Sequence, residues 1–155
     1  TITGGKWTTY KAMAEDVLLN AINSKLLHSE KIPIDTAVTF MGCAQTGKPA
    51  VSLTLPQGIH LYGDEESSVN SLPGAEHWLL PGFSEAMVRF AARHEFARTV
   101  EDVLARRSRA LFLDARQSAA AAEQVATVLL SEGCGKPELS DYLSLAHSYT
   151  LKSVP

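Results

Sequence analysis

Residues 116–133 read RQSAAAAEQVATVLLSEG, and this stretch decides the fold class. It is alanine-rich, with the strong helix propensity that alanine carries, and Gly133 stands where a left-handed residue closes a helix. Just upstream, Thr99 and Asp102 form a capping pair that opens RTVEDVLARRSRALFLDA, either as a fresh helix or as a kinked continuation. Its apolar positions are Val100, Val103, Leu104 and Leu111. Before that, LLPGFSEAMVRFAARHE starts at Ser84 as N-cap, with Phe83 and Val88 placed as a hydrophobic staple. DEESSVNSL puts acids in a first turn, where they complement the helix dipole, and Pro73-Gly74 ends it. Downstream, Pro137 precedes a last short helix with Leu139, Tyr142, Leu143 and Ala146 on its apolar face.

The chain opens TITGGKWTTYK and runs into a helix from about Thr8 to Asn23. Tyr10, Met13, Ala14, Val17, Leu18, Ala21 and Ile22 fall at helical spacing, with Glu15, Asp16 and Asn20 opposite. Between this helix and Asp64 lies an irregular stretch holding three prolines and four glycines. It reads as a long loop with a short extended piece at Thr36–Met41, and such a connection in a compact domain is usually functional or packed on a neighbour. The expected fold class is therefore all-α: a compact bundle of about five or six helices. The expected divisions are 1–23, a linker at 24–62, and a helical domain at 63–155. A start at Thr1, inside an evident motif, leads to the expectation of a piece of a longer chain.

Bulk properties exclude several classes of function. A hydrophobic content of 45% with 20% charged residues is ordinary for a globular core. A net charge of −3 and a pI near 5.9 give no pull toward nucleic acid or anionic lipid, and nucleic acid is not an expected partner. No run approaches the roughly 20 apolar residues that span a bilayer, so membrane contact would be peripheral. Cys43 and Cys134, without a CxxC, suit a reducing compartment and read as small packing groups. No secretory signal pattern opens the sequence.

Two motifs resemble catalytic signatures and fail on detail. GCAQTGKPA has P-loop spacing from Gly42 to Gly47-Lys48, but Pro49 occupies the position of the magnesium-binding hydroxyl and no helix follows. HEFAR begins like a zinc-protease helix, but Arg98 stands where the second histidine belongs, so His94 and Glu95 read as a solvated helix end. His28, His60, His77 and His147 lack ligand spacing, and no metal is expected. Neither cysteine has a histidine nearby to mark it as a nucleophile. Arg106, Arg107 and Arg109, with Arg98 upstream, have two readings. One is a basic face paired on the surface with Glu101 and Asp102, which is preferred. The other is an anchor against an acidic neighbour. The turn Gly4-Gly5-Lys6 before Trp7, Thr8 and Thr9 also has two: an N-cap after a flexible turn, or an anion site built from free amides and a lysine.

TGGKWTTYKAMAEDV followed by LYGDEESSV and RHEFARTVEDVLARRSRALFLDA resembles the FAD-dependent glycerol-3-phosphate dehydrogenases of the aerobic, quinone-linked type. The resemblance covers most of the chain, and implies that residues 1–23 are the last flavin-facing turn and helix of an FAD-binding domain. The remainder is then a C-terminal helical cap. It implies oxidation of sn-glycerol 3-phosphate to dihydroxyacetone phosphate, with electrons passed to quinone; an oxidase using oxygen and a non-catalytic helical interaction module are the alternatives. By the same resemblance Gly4, Gly5, Lys6, Trp7 and Thr8 face the flavin, Lys6 and Thr8 also line the substrate pocket, and Thr9 caps the helix. Lys11 departs from the family's arginine and receives no role. Arg106 or Arg107 would pin the cap, internally or to the FAD domain. The partners implied are the N-terminal FAD and substrate domains of the same protein, glycerol 3-phosphate and quinone. The implied location is the cytoplasm or the inner face of a membrane. The Gly-x-Gly-x-x-Gly fingerprint is absent, so this stretch alone is expected to bind no FAD and show no turnover.

Overall fold

A computed structural model describes residues 5–28, 42–43, 51–52 and 55–150. Gly4 and the expected extended piece at Thr36–Met41 lie outside the described residues, as do Gly47, Lys48 and Pro49 of the P-loop look-alike. The chain divides into two compact units, Thr1–Val38 and Thr39–Pro155.

In the first unit a short 3-10 turn, Trp7–Thr9, leads into helix α1, Tyr10–Asn23. The helix forms where the apolar spacing places it, yet it buries no residue. Lys25, left-handed at φ 56°, lies just beyond its end, and the N–H groups of Ser24 and Leu26 return to the carbonyls of Asn20 and Ala21.

The second unit is helical, with one small hairpin. A 3-10 segment, Ile59–Glu65, continues into α2, Glu66–Asn70. Regular structure thus begins several residues before Asp64, inside the stretch read as loop. β1, Trp78–Leu80, pairs antiparallel with β2, Phe83–Ser84, around Pro81-Gly82. The sequence gives no sign of this hairpin, because strands of three and two residues are too short to display a period of two. Gly82, at φ +71°, is obligatory here: a Cβ would stand 1.9 Å from the Gln57 carbonyl oxygen.

α3, Glu85–His94, starts at Ser84 in extended conformation, with Phe83 and Val88 both buried on either side of the cap. The next segment is a fresh start: Phe96 turns left-handed at φ 59° and breaks the helix before Thr99. The capping pair is reciprocal. Thr99 N–H donates to Asp102 Oδ2 at 3.0 Å, and Asp102 N–H donates to Thr99 Oγ1 at 3.1 Å. The segment opened by this cap, Asp102–Arg107, winds as π-helix, with Ser108 N–H reaching back five residues to the Val103 carbonyl at 2.8 Å.

A one-turn helix α4, Ala110–Leu113, stops at Asp114, whose carboxylate accepts from the N–H groups of Arg116 and Gln117 and so opens α5, Ala115–Ser131. α5 ends in a Schellman motif on Gly133, φ +81°: Cys134 N–H bonds the Leu129 carbonyl at 2.9 Å, and Gly133 N–H bonds the Leu130 carbonyl at 3.0 Å. α6, Leu139–Tyr149, packs along α5, and the buried Tyr142 hydroxyl hydrogen-bonds Ser118.

The core lies between α3, the π-helical segment, α5 and α6, and contains Val100, Val103, Leu104, Leu111, Val125 and Leu129. Cys134 belongs to it, whereas Cys43 is exposed, so only one of the two thiols is a packing group. Among the described residues no helix is long and apolar enough to cross a membrane.

Candidate functional site

The turn before α1 has a geometry that its sequence dictates. Gly5 sits at φ +118°, a conformation that favours glycine, and a Cβ there would lie 2.3 Å from Met13 Sδ, near the movable end of a flexible side chain. Thr9 occupies the N-cap position, but its hydroxyl donates back to the Lys6 carbonyl at 2.9 Å rather than capping the amides ahead of it. This replaces the capping bond expected of Thr9. Lys6, Trp7 and Thr8 are exposed, Trp7 to 88%, and Trp7 tilts against Tyr10 with ring centroids 5.9 Å apart. A large apolar side chain that exposed is unusual in a finished surface.

The arginine-bearing segment is tied down within its own unit. Arg106 donates to Glu101 Oε1 at 2.6 Å and to Asp102 Oδ1 at 2.8 Å, close to the Thr99 cap. Burial opposes ionisation of Asp102, but the N–H groups of Arg98 and Thr99, the Thr99 hydroxyl and Arg106 together hold its carboxyl below the usual range. Arg107 points the other way, with Nε donating to the Glu95 carbonyl at 2.9 Å. Arg98 Nη1 donates to the carbonyls of Ala92 at 2.7 Å and Ala97 at 3.0 Å. Two guanidinium groups therefore clamp the corner at 94–98 around the left-handed, exposed Phe96. A bulky left-handed residue is a conformational outlier, and it persists here because its neighbours are held on both sides.

A second set of charges joins α3 to the end of α5. Glu132, its side chain only 7% exposed, accepts from Arg89 at 2.7 Å and from Arg93 at 2.6 and 2.9 Å. Glu85 bonds His77 Nδ1 at 2.7 Å and also pairs with Arg89. The Arg93 bond, against burial and with help from Arg89, lowers the Glu132 carboxyl; the His77 bond, against burial and with Arg89, lowers that of Glu85.

Beside the clamped corner lies a cavity of about 740 Å³, within the range typical of small-molecule sites. Its wall includes Phe83, Met87, Phe90 and Tyr62, with the Tyr62 ring edge-on to Phe90 at 5.4 Å. His94, Glu95, Arg107 and Arg109 supply polar groups. Burial, with the nearby Glu95 charge, pushes the Tyr62 hydroxyl far up. Burial also pushes the Glu95 carboxyl up, against the pull of Arg107 and His94. Reading His94-Glu95 as a solvated helix end therefore holds for His94, which is exposed, and not for half-buried Glu95. The sequence does not single out Tyr62, Glu95 and Arg109 as a set, because they come from separate segments that only the fold assembles; HEFAR and the arginine run ending at Arg109 are the visible signals. Gly42, from the P-loop look-alike, also lines this wall, turned at φ +76° with its carbonyl facing Gly63.

Comparison with known proteins reaches most of the chain. Residues 59–135 match the family described as the C-terminal domain of alpha-glycerophosphate oxidase. The chain is 32% identical over 162 residues, 85% of its length, to the mitochondrial glycerol-3-phosphate dehydrogenase of Arabidopsis thaliana. It is 32% identical over 139 residues to a probable mitochondrial glycerol-3-phosphate dehydrogenase of Dictyostelium discoideum, and 28% identical over 150 residues to the mitochondrial enzyme of Rattus norvegicus. These alignments cover 74% and 83% of the chain. The chain spans about a quarter or less of these relatives, 26%, 20% and 20% of their lengths. No solved structure matches.

Proposed function

We propose that the parent of this chain, whose residues 59–135 match the family described as the C-terminal domain of alpha-glycerophosphate oxidase, is an FAD-dependent glycerol-3-phosphate dehydrogenase. The parent oxidises sn-glycerol 3-phosphate to dihydroxyacetone phosphate and passes the electrons to quinone. One observation carries the reading: the likeness to named glycerol-3-phosphate dehydrogenases extends over 85% of this chain, well beyond the matched helical domain.

The flavin, when bound, accepts the hydride leaving the secondary alcohol carbon. The chain's own part is electrostatic. Gly4, Gly5, Lys6, Trp7 and Thr8 face the flavin, with Gly5 held at φ +118° so that backbone rather than side chain meets the ring system. The residues fit this role: the Lys6, Trp7 and Thr8 side chains are exposed, and none forms a hydrogen bond or ion pair among the described residues. Lys6 supplies positive charge beside the flavin and the substrate oxygens, and Thr8 lines the same pocket. The first-turn amides of α1 add the positive end of a helix dipole where negative charge develops.

Residues 1–155 alone bind no FAD and turn nothing over, since no dinucleotide fingerprint is among them. Among the described residues no helix could cross a membrane, which is compatible with a peripheral membrane contact of the parent. Oxygen as acceptor is the second reading, favoured by the word oxidase in the family's description.

The decisive experiment is a visible spectrum of the full-length parent, before and after anaerobic addition of glycerol 3-phosphate. A flavin spectrum that bleaches is the expected result. A colourless protein, or a flavin indifferent to the substrate, would sink the enzyme reading and leave a helical interaction module. Lys6→Met in the parent should lower kcat/KM about 100-fold or more with flavin retained, the loss typical of one preorganised charge. Unchanged turnover would remove Lys6 from the pocket.

A further inference from the structure

We propose that the cavity beside the 94–98 corner binds a small organic anion with a planar apolar body, its ring on Phe83, Met87 and Phe90 and its negative group on Arg109. The floor is carbon: all three side chains are almost fully buried where they line the 740 Å³ space, and the Tyr62 ring extends the same surface.

Arg109 is singled out by comparison with its neighbours. Arg89 and Arg93 are spent on Glu132, Arg106 on Glu101 and Asp102, and Arg98 and Arg107 on backbone carbonyls. The Arg109 guanidinium makes no hydrogen bond or ion pair among the described residues, although it stands on the cavity wall. The Tyr62 hydroxyl and the Glu95 carboxyl line the same wall and are likewise without hydrogen-bond partners among the described residues. A cavity with an apolar floor and a few uncommitted polar groups is what a small-molecule site requires.

The sign of the ligand is set by the wall charges. Arg107 and Arg109 share the wall with Glu65 and Glu95. Among these groups Arg109 is the cation that has no partner among the described residues, and burial opposes the charged form of Glu95. A carboxylate, sulfonate or phosphate carried on an aromatic body satisfies the floor and Arg109 together.

None of these residues belongs to the turn at 5–9, so this site and the flavin reading fail separately. The test titrates the 155-residue chain with anilinonaphthalene sulfonate and, in parallel, with the uncharged phenylnaphthylamine, while near-ultraviolet circular dichroism reports intact packing. One saturable site is expected, tighter for the sulfonate. Arg109→Gln should raise its Kd about tenfold, the loss of one charge-assisted hydrogen bond. Arg109→Lys, which keeps the charge, should retain most of the affinity, and Lys136→Gln, an exposed residue off the cavity wall, should change nothing. Equal binding of the two probes, absence of saturation, or an Arg109→Gln variant with unchanged Kd would overturn the proposal.

Discussion

Helices α1 and α5 have 14 and 17 residues and are both legible as helices in the sequence, yet they live differently. α5 buries Ser118, Ala121, Ala122, Val125, Ala126, Val128 and Leu129 against its own unit. α1 buries nothing within its unit and leaves Tyr10, Leu18 and Leu19 exposed. Spacing of apolar residues says which face of a helix wants cover; it does not say what supplies it. A helix of this length is marginal in water without tertiary packing. α1 is therefore a helix whose apolar residues find little cover among the described residues, while α5 is the mast of its own domain.

The largest expected difference between them comes from truncating one leucine in each. Leu129→Ala removes a fully buried side chain that also backs the Schellman turn, and should cost about 2–5 kcal/mol, enough to threaten the fold. Leu19→Ala, at a position 58% exposed, should change the thermal melt of the same chain by no more than about 0.5 kcal/mol. Comparable losses in the two melts would mean that α1 is covered after all.

The charge network adds to the contrast, because it joins helices of the second unit. Glu132→Gln leaves Arg89 and Arg93 without their shared carboxylate and should destabilise by about 2 kcal/mol at neutral pH. The directions of the carboxyl shifts set the pH dependence. Glu85, Asp102 and Glu132 have carboxyls lowered in the folded state, so their stabilisation is present above the ordinary carboxylate range. It is lost as pH falls through their folded values. Glu95 runs the other way: its carboxyl is raised, so its contribution is present in acid and is lost as pH rises through the folded value. Three groups against one predict net acid destabilisation, and Glu132→Gln should flatten that acid limb in melts taken across the carboxylate range. An unchanged slope would show that the network carries no linkage.

The features legible in the sequence are local ones. Ser84, the Thr99–Asp102 pair and Gly133 each close hydrogen bonds within a few residues, so composition alone exposes them. Asp114 escapes because a one-turn helix precedes it and reads as continuous with α5. The π-helical winding at Asp102–Arg107 has no compositional mark at all. The cavity escapes for a different reason: Tyr62, Glu95 and Arg109 meet only after the long connection, the corner at Phe96 and the helix ends are in place. The glycine turn is legible as a turn, and the flavin proposed for it rests on the family likeness alone.

Two glycines carry the comparison to smaller energies. Gly133 has left-handed φ with open space around it, so Gly133→Ala meets only the conformational penalty, about 1 kcal/mol, and Gly133→Asn less. Gly5→Ala adds a collision with Met13 to its positive φ, yet in a region that buries nothing. Its effect should be missing from the chain's melt and appear in the parent's flavin affinity. A melt lowered more by Gly5→Ala than by Gly133→Ala would reverse the ranking of the two units.

The smallest effect separates two adjacent arginines. Arg106 pairs with Glu101 and Asp102 on a half-exposed surface, where ion pairs contribute little, so Arg106→Met should cost under about 0.5 kcal/mol. Arg107 holds the Glu95 carbonyl, whose corner forces Phe96 left-handed, and Arg107→Met should cost about 1 kcal/mol. If the pair instead anchors this domain to the rest of the parent, the ranking inverts there. Arg106→Met would then leave the 155-residue chain's melt unchanged while lowering the parent's melt or kcat/KM. Equal, small effects in both proteins would confine Arg106 to its own surface and leave Arg107 as a positioning residue for the corner.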